Sequence, residues 1–305
     1  MKQLIFPAKI LLFGEYTIFK GGKALSIPYH KYSGHLEIPS IFTKKTKQSN
    51  ALLKEFVKVL KSKNVDLNFK VVDHDIQSGM AFHSNIPVKY GLGSSGALVA
   101  AFYSKYFDTP INRLSNDSKI EIKKIQSQLA VLESCFHGYS SGLDPLVSLI
   151  AKPIIYQDQQ IEILSEIQLT KENFFLLDSS LHSHTQPWVT KMMKRFKNSS
   201  FETQFKKQYL VASDLCIDSF LRRDSGELVK HIKTLSQTTL DLLDFLIPQS
   251  IVAFWHQGIQ KDHYYLKLCG SGGGGFILGY TDDWNKLKAL QKNFKMESIF
   301  TSECF

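Results

Sequence analysis

The run from Ile86 to Ala97, Ile-Pro-Val-Lys-Tyr-Gly-Leu-Gly-Ser-Ser-Gly-Ala, holds the residue types that a phosphate group needs. Gly91 and Gly93 can take backbone angles closed to other residues and let an anion come close to the main chain. Ser94 and Ser95 add hydroxyls. The apolar, Ala-rich stretch from Ala97 to Phe107 reads as a helix, so its unpaired N–H groups and positive dipole end would face the same point. The chemistry this suits is the cradling of a triphosphate. Gly96 is followed by Ala97 and Leu98, not by the Lys and Ser/Thr of the common P-loop, so a lysine for the phosphates must come from elsewhere.

Two further segments carry glycine at chemically suggestive places: Pro-Ala-Lys-Ile-Leu-Leu-Phe-Gly-Glu-Tyr at 7–16 and Lys-Leu-Cys-Gly-Ser-Gly-Gly-Gly-Gly-Phe at 267–276. Four consecutive glycines are entropically costly, which implies a backbone lying close against something; a flexible turn is the alternative. In this order and with these separations, the three segments resemble those of the GHMP kinase superfamily. The middle one fits the pattern P-x-x-x-G-L-G-S-S without a gap, and the resemblance spans nearly the whole chain. The stretch Leu-Glu-Ser-Cys-Phe-His-Gly-Tyr-Ser-Ser-Gly-Leu-Asp-Pro at 132–145 is similar to the mevalonate kinase pattern E-x-x-x-H-G-x-x-S-G-x-D. It matches at Glu133, His137, Gly138, Ser141, Gly142 and Asp144.

The resemblance implies an α+β, two-domain fold: residues 1–166 as an ATP-binding domain like domain 2 of ribosomal protein S5, and 167–305 as a ferredoxin-like domain. It implies ATP contacts at Lys9, Gly91, Leu92, Gly93, Ser94, Ser95 and Gly96, and Mg²⁺ held by Ser95 and Glu133. Asp144 would lie beside the attacking hydroxyl, with Lys9 near Asp144 and the transferring phosphate. Glu15, Tyr16, Thr185, Gly272 and Gly273 would border the substrate. The implied activity is ATP-dependent phosphorylation of the primary alcohol of mevalonate, a step of isoprenoid precursor synthesis, with a small-molecule partner and a homodimer allowed. Tyr16 departs from the pattern, since most mevalonate kinases have G-E-H there, and G-E-Y is more typical of phosphomevalonate kinases. The latter usually show G-x-G-[FY]-D where this chain has E…H-G-x-x-S-G-x-D. Galactokinase and homoserine kinase fit less well, the first for want of G-E-H-T-D-Y, the second because it lacks an Asp base. A catalytically silent metabolite sensor is the non-enzyme reading, and an intact set of Lys9, Ser95, Glu133 and Asp144 favours the enzyme.

Elementary chemistry can be set beside each role. Mg²⁺ prefers hard oxygen ligands and keeps several waters, so one carboxylate, one hydroxyl and phosphate oxygens suffice. Glu133 adjoins a buried helix face, where an unpaired carboxylate would be costly; an ordinary surface glutamate is the alternative. Asp144 sits in a turn where it could accept an alcohol proton or cap a helix. Lys9, among apolar residues on a strand, needs an anion unless it snorkels to the surface. His137, before Gly138, fits a capping role better than a base. His182 and His184 stand at i, i+2 with no third ligand nearby, which speaks against a metal there.

The elements that must position these groups follow from periodicity. Residues 3–13, Gly34–Ile38, Phe69–Ile76 and Ala81–Val88 read as strands, with a helix from about Ser49 to Lys63. Ile122, Ile125, Leu129, Leu132 and Phe136 recur at three and four, predicting one buried helix face that ends near Gly138. Strands are expected at 154–156, 161–164, 174–178 and 264–268. Helices are expected at 191–196, 203–222, 228–245 and from Pro248 to about 260, the third begun by Asp224 with Glu227 at capping-box spacing.

Composition narrows the classes. The 305 residues carry 37 Lys plus Arg against 28 Asp plus Glu, a net charge of +9 that attracts anions. The basic residues are scattered, and no aromatic-rich basic patch supports nucleic-acid binding. No run of eighteen apolar residues suggests a membrane span, and the first residues lack a signal-peptide pattern, so a cytoplasmic location is expected. Cys135, Cys216, Cys269 and Cys304 form no C-x-x-C pair, which argues against zinc-cysteine sites and disulfides.

Overall fold

The computed structural model describes residues 3–63, 65–108, 119–164, 173–288 and 294–299. The chain forms two compact units, each assembled from separated segments: 1–9, 28–87 and 93–152 make the first, and 10–27, 88–92 and 153–305 the second. The domain division expected at 166/167 falls outside the described residues. Strands β1 (Phe6–Phe13) and β2 (Ala24–Glu37) each run from one unit into the other.

In the first unit, Gly34–Glu37 of β2 pair antiparallel with β3 (Ala81–Ser84). Around them lie helices α1 (Lys44–Ser62), α2 (Phe69–Gln77), α3 (Ser94–Tyr106), α4 (Lys119–His137) and α5 (Leu143–Ile150). Helix α3 is buried on every side from Gly96 to Tyr103, as its run of Ala and apolar residues requires, since no face of it is suited to water. Helix α4 buries Ile122, Ile125, Leu129 and Leu132, the face foreseen from their spacing. Phe136, one turn on, stacks on Phe56 at 4.9 Å.

Two strand expectations are corrected here. Residues 69–76 are helical, because Phe69, Val72 and Ile76 gather on one side at helical spacing; Val72 and Ile76 are buried while Val71 is exposed. The strand expected at 81–88 stops at Ser84, since Pro87 cannot continue a ladder. The strand expected at 34–38 is the distal end of the 14-residue β2.

In the second unit, Ala24–Ser26 of β2 pair with β4 (Ile154–Gln157), which pairs with β5 (Gln160–Ile163). A separate antiparallel sheet has the order β7-β8-β6-β9, from Tyr265–Leu268, Phe276–Tyr280, Phe174–Asp178 and Met296–Ser298. Its helices are α6 (Thr185–Arg195), α7 (Ser199–Gln204), α8 (Val211–Leu221), α9 (Ser225–Leu243), α10 (Gln249–Lys261) and the short α11 (Trp284–Lys288). A π-helical turn at Phe205–Leu210 joins α7 to α8. Asp224 Oδ1 accepts from the Glu227 N–H at 3.0 Å, so α9 starts with the expected cap. Trp255, fully buried on α10, donates from Nε1 to Ser236 Oγ of α9 at 2.8 Å.

Candidate active site

Chemistry-bearing side chains of the first unit converge at the start of α3. Gly93 caps that helix with φ of 70°, an angle glycine takes at little cost. The helix brings no acidic residue into its first turn and has no side-chain cap, so its positive end is left for an outside anion. A Cβ on Gly93 would lie 2.8 Å from Lys9 Cγ, and one on Gly96 would lie 3.0 Å from the Asp144 carbonyl carbon. A side chain at Gly93 would therefore push on the stem of Lys9, and one at Gly96 would crowd the turn that carries Asp144.

Lys9 projects from β1, and its Nζ meets Asp144 Oδ2 at 2.9 Å. The lysine side chain is 4% exposed and the aspartate 36%, so the cation is enclosed while the carboxylate can still be reached from water. Asp144 stands in the first turn of α5, where a carboxylate is favoured by the helix dipole. Glu133 of α4 is buried. Its Oε1 accepts from Ser95 Oγ at 3.2 Å and its Oε2 from Ser140 Oγ at 2.5 Å. Ser140 Oγ in turn accepts from the Gly142 N–H at 2.9 Å, fixing the turn before Asp144.

Burial, and after it the charge of Asp144, pushes the Glu133 carboxyl up to about 7, against the opposing pull of Ser140, Lys9 and Ser95. Two carboxylates thus share one lysine, an arrangement that a divalent cation would relieve. Ser95 Oγ and Glu133 Oε1 are hard donors, and their 3.2 Å separation is near the ~2.9 Å edge of an octahedron with ~2.0–2.1 Å Mg–O bonds. These residues fit Mg²⁺.

The second unit holds the other group. Tyr16 adopts φ of 65° after β1 and donates from its hydroxyl to the Ser271 carbonyl at 2.7 Å. Burial, then the neighbouring Glu15, raises its pKa. Glu15 Oε1 meets Lys267 Nζ at 2.5 Å, both side chains nearly sealed from solvent, while Glu15 Oε2 is buried with no hydrogen-bond partner. Lys267 also donates to the Leu268 carbonyl at 2.6 Å. The glycine run packs against protein atoms: a Cβ on Gly273 would fall 2.0 Å from Trp188, and the Gly273 N–H donates to the Leu246 carbonyl at 2.6 Å. Gly272 offers its carbonyl to Ser183 Oγ at 2.5 Å. Gly91, at φ of 83°, lies against the Cys269 carbonyl, and Leu92 is buried. Thr185 opens α6 and is exposed. Of His137 the structure describes the backbone only, at the end of α4; His182 rests its ring edge-to-face with Tyr90.

Sequence reasoning passed over Ser140 and Lys267. The first stands in the matched turn beside Ser141. The second was signalled by a charged residue inside the apolar strand Tyr-Leu-Lys-Leu, where a lysine requires a partner.

The family model for the GHMP kinases N terminal domain matches residues 51–152, which contain Gly91 to Gly96, Glu133 and Asp144. Residues 51–152 thus match the GHMP kinase N-terminal domain, and the mixed helix and strand fold in two domains is like that of solved GHMP kinase structures. Among individual relatives, a mevalonate kinase of Pyrococcus abyssi is 28% identical over 187 residues, covering 53% of each chain. The chain therefore spans about half the length of the curated relatives it matches. Of solved structures, the L. major mevalonate kinase in complex with R-mevalonate superposes with a TM-score of 0.63 at 16% identity, over 100% of this chain and 92% of that one. Streptococcus pneumoniae phosphomevalonate kinase in complex with phosphomevalonate and AMPPNP superposes with a TM-score of 0.62 at 15% identity, over 98% and 100%. No helix among the described residues is long and apolar enough to cross a membrane.

Proposed function

We propose that the chain is an ATP- and Mg²⁺-dependent phosphotransferase whose acceptor is the primary alcohol of mevalonate. The observation that carries this reading is the enclosed Lys9–Asp144 ion pair beside Ser95 and Glu133 at an uncapped helix N-terminus. Phosphoryl transfer asks for positioning and charge compensation more than for covalent chemistry. In this reading the backbone N–H groups of Gly93 to Gly96 and the Ser94 and Ser95 hydroxyls bind the phosphates. Lys9 compensates charge on the transferred group while holding one oxygen of Asp144. Asp144 orients the acceptor hydroxyl and takes up its proton. Ser95 and Glu133 would hold Mg²⁺, which, when bound, neutralises phosphate charge. Glu15, Tyr16, Thr185, Gly272 and Gly273 are proposed to select the acceptor.

The second reading is phosphomevalonate kinase, favoured by Tyr16 in the sequence Gly-Glu-Tyr. Release of ADP measured with mevalonate, phosphomevalonate, homoserine and galactose in turn separates the readings. Turnover greatest with mevalonate supports the first, and turnover greatest with phosphomevalonate the second. Silence with all four would return the chain to the non-catalytic sensor.

A further inference from the structure

In the first unit, away from the residues assigned to phosphoryl transfer, β2 and β3 bring together His35, Glu37 and His83. The antiparallel register sets His35 directly opposite His83, and Glu37, two residues along the same strand, shares the face of His35. The imidazole rings are stacked, 10° from parallel with centroids 5.4 Å apart, so both present their edges to the carboxylate between them. Glu37 Oε2 lies 3.3 Å from His35 Nε2 and Oε1 lies 3.2 Å from His83 Nε2. One ligand atom from each of the three residues falls within 4.8 Å of the others.

The two imidazole-to-carboxylate separations are those of neighbouring ligands around one small cation, and the third lies within 4.8 Å. Bonds of ~2.0–2.1 Å from zinc to nitrogen or oxygen give a tetrahedral edge of about 3.3 Å. Two imidazoles and one carboxylate are the donor set that borderline divalent d-block ions prefer, whereas Mg²⁺ seeks an all-oxygen shell. His83 Nε2 supplies the independent sign: it is buried and makes no hydrogen bond, although a carboxylate oxygen is 3.2 Å away. A buried nitrogen without a partner is costly unless something meets it. Gln3 Nε2 donates to Glu37 Oε2 at 2.9 Å, the kind of outer contact that steadies a ligating carboxylate. Glu37 and His83 also line a surface cavity of about 280 Å³, room for the water that a three-ligand site takes as its fourth donor. Lys45, at the same cavity, donates its ammonium to the Ser84 carbonyl at 3.1 Å.

We propose that His35, Glu37 and His83 form a binding site for a zinc-class divalent cation, open at its fourth position, that clips β2 to β3. The site is separate from the Mg²⁺ site assigned to Ser95 and Glu133 and holds whether or not the kinase reading does. A metal that binds the folded sheet and not the unfolded chain adds its binding free energy to stability.

The test is titration of the untagged full chain with Co²⁺, without nucleotide and with Mg²⁺ in excess, followed by visible absorption; Zn²⁺ competition and thermal midpoints accompany it. We expect one Co²⁺ per chain with the intensified d–d bands of a four- or five-coordinate ion, displaced by Zn²⁺, and a thermal midpoint raised by Zn²⁺. His35→Gln and His83→Gln should each weaken binding at least tenfold, and the double variant should lose both the bands and the thermal shift while keeping the wild-type circular dichroism. Absence of a Co²⁺ complex in the wild type would overturn the proposal, a result that needs no variant to fold. So would a complex that the double variant retains, or a thiolate-to-cobalt charge-transfer band, which would assign the ion to cysteine.

Discussion

Lys9 Nζ lies 2.9 Å from Asp144 Oδ2, the ammonium enclosed by protein and the carboxylate open to solvent on one side. Enclosing the cation concentrates its field on whatever approaches Asp144, because little water intervenes to screen it. In the proposed reaction, an alcohol that reaches the carboxylate would also meet the charge of Lys9. Replacing Asp144 by Asn keeps the shape and removes the proposed proton acceptor. We expect turnover of the true substrate to fall by about 10²-fold or more, with the KM for ATP changed only a few-fold. Steady-state kinetics with both substrates varied would decide it, and turnover within a few-fold of wild type would remove the assignment.

Gly93 and Gly21 both occupy the left-handed region, at φ of 70° and 84°, but only Gly93 has a neighbour where a Cβ would go. Alanine at either position should cost roughly 1–2 kcal/mol of stability from backbone strain alone, read by chemical denaturation. Gly93→Ala should in addition displace the Lys9 stem and lower kcat at least tenfold, while Gly21→Ala leaves kcat near wild type. Equal kinetic effects from the two would show that strain, not contact with Lys9, is responsible.

The Glu133 carboxyl, held near 7 in the folded chain, has an ordinary value close to 4.5 when unfolded. A group protonated more readily in the folded state contributes stability that is whole below the unfolded value and is lost as pH rises through about 7. Without Mg²⁺, Glu133→Gln, which cannot ionise, should therefore melt at a higher temperature than wild type at about pH 8 and at the same temperature near pH 4. Saturating Mg²⁺ and nucleotide should narrow or reverse the difference. A gap of the same size at both pH values would contradict the linkage.

Lys267 and Glu15 form a buried ion pair in the second unit. Lys267→Met leaves Glu15 charged and uncompensated, and unfolding in urea should report a loss of about 3–5 kcal/mol. The double change with Glu15→Gln should recover most of that loss. A double variant as unstable as the single one would mean that the lysine stem, not its charge, was the stabilising part.

Legibility in the sequence followed contiguity. The face of α4 was readable because five apolar residues repeat without interruption, and the α9 cap because Asp224 and Glu227 are three apart. Residues 69–76 were misread because eight residues with apolar groups at several spacings satisfy both periods, and only packing chooses between them. The neighbourhood of Lys9 with Asp144, and of Ser95 with Glu133, was reachable because each sits in a recognisable segment. Ser140 was hidden by its equivalence to Ser141 as a turn residue. The pairing of Glu15 with Lys267, 252 residues apart, has no local sign. The cluster of His35, Glu37 and His83 was invisible for a related reason: the three residues lie in the strands expected at 34–38 and 81–88, but only the register of β2 with β3 makes His35 and His83 neighbours.

The segmented make-up of the two units bears on how the chain emerges from a ribosome. The first unit can close once residue 152 has been made, since its three segments are then all present. The segment 10–27 cannot be completed so early. Glu15 waits for Lys267, Tyr16 for Ser271, and Lys23 for Asp214, partners 252, 255 and 191 residues downstream. Once residue 152 has been made, Asp214, Lys267 and Ser271 are still to come, and at synthesis rates of ~5–20 residues per second the wait is roughly 3 to 24 seconds. During it, the stretch destined for the second unit is tethered at both ends to segments of the first, and its two ends are already fixed in β1 and β2. Early closure of the first unit thus turns a long-range search into the docking of a loop whose ends are already held.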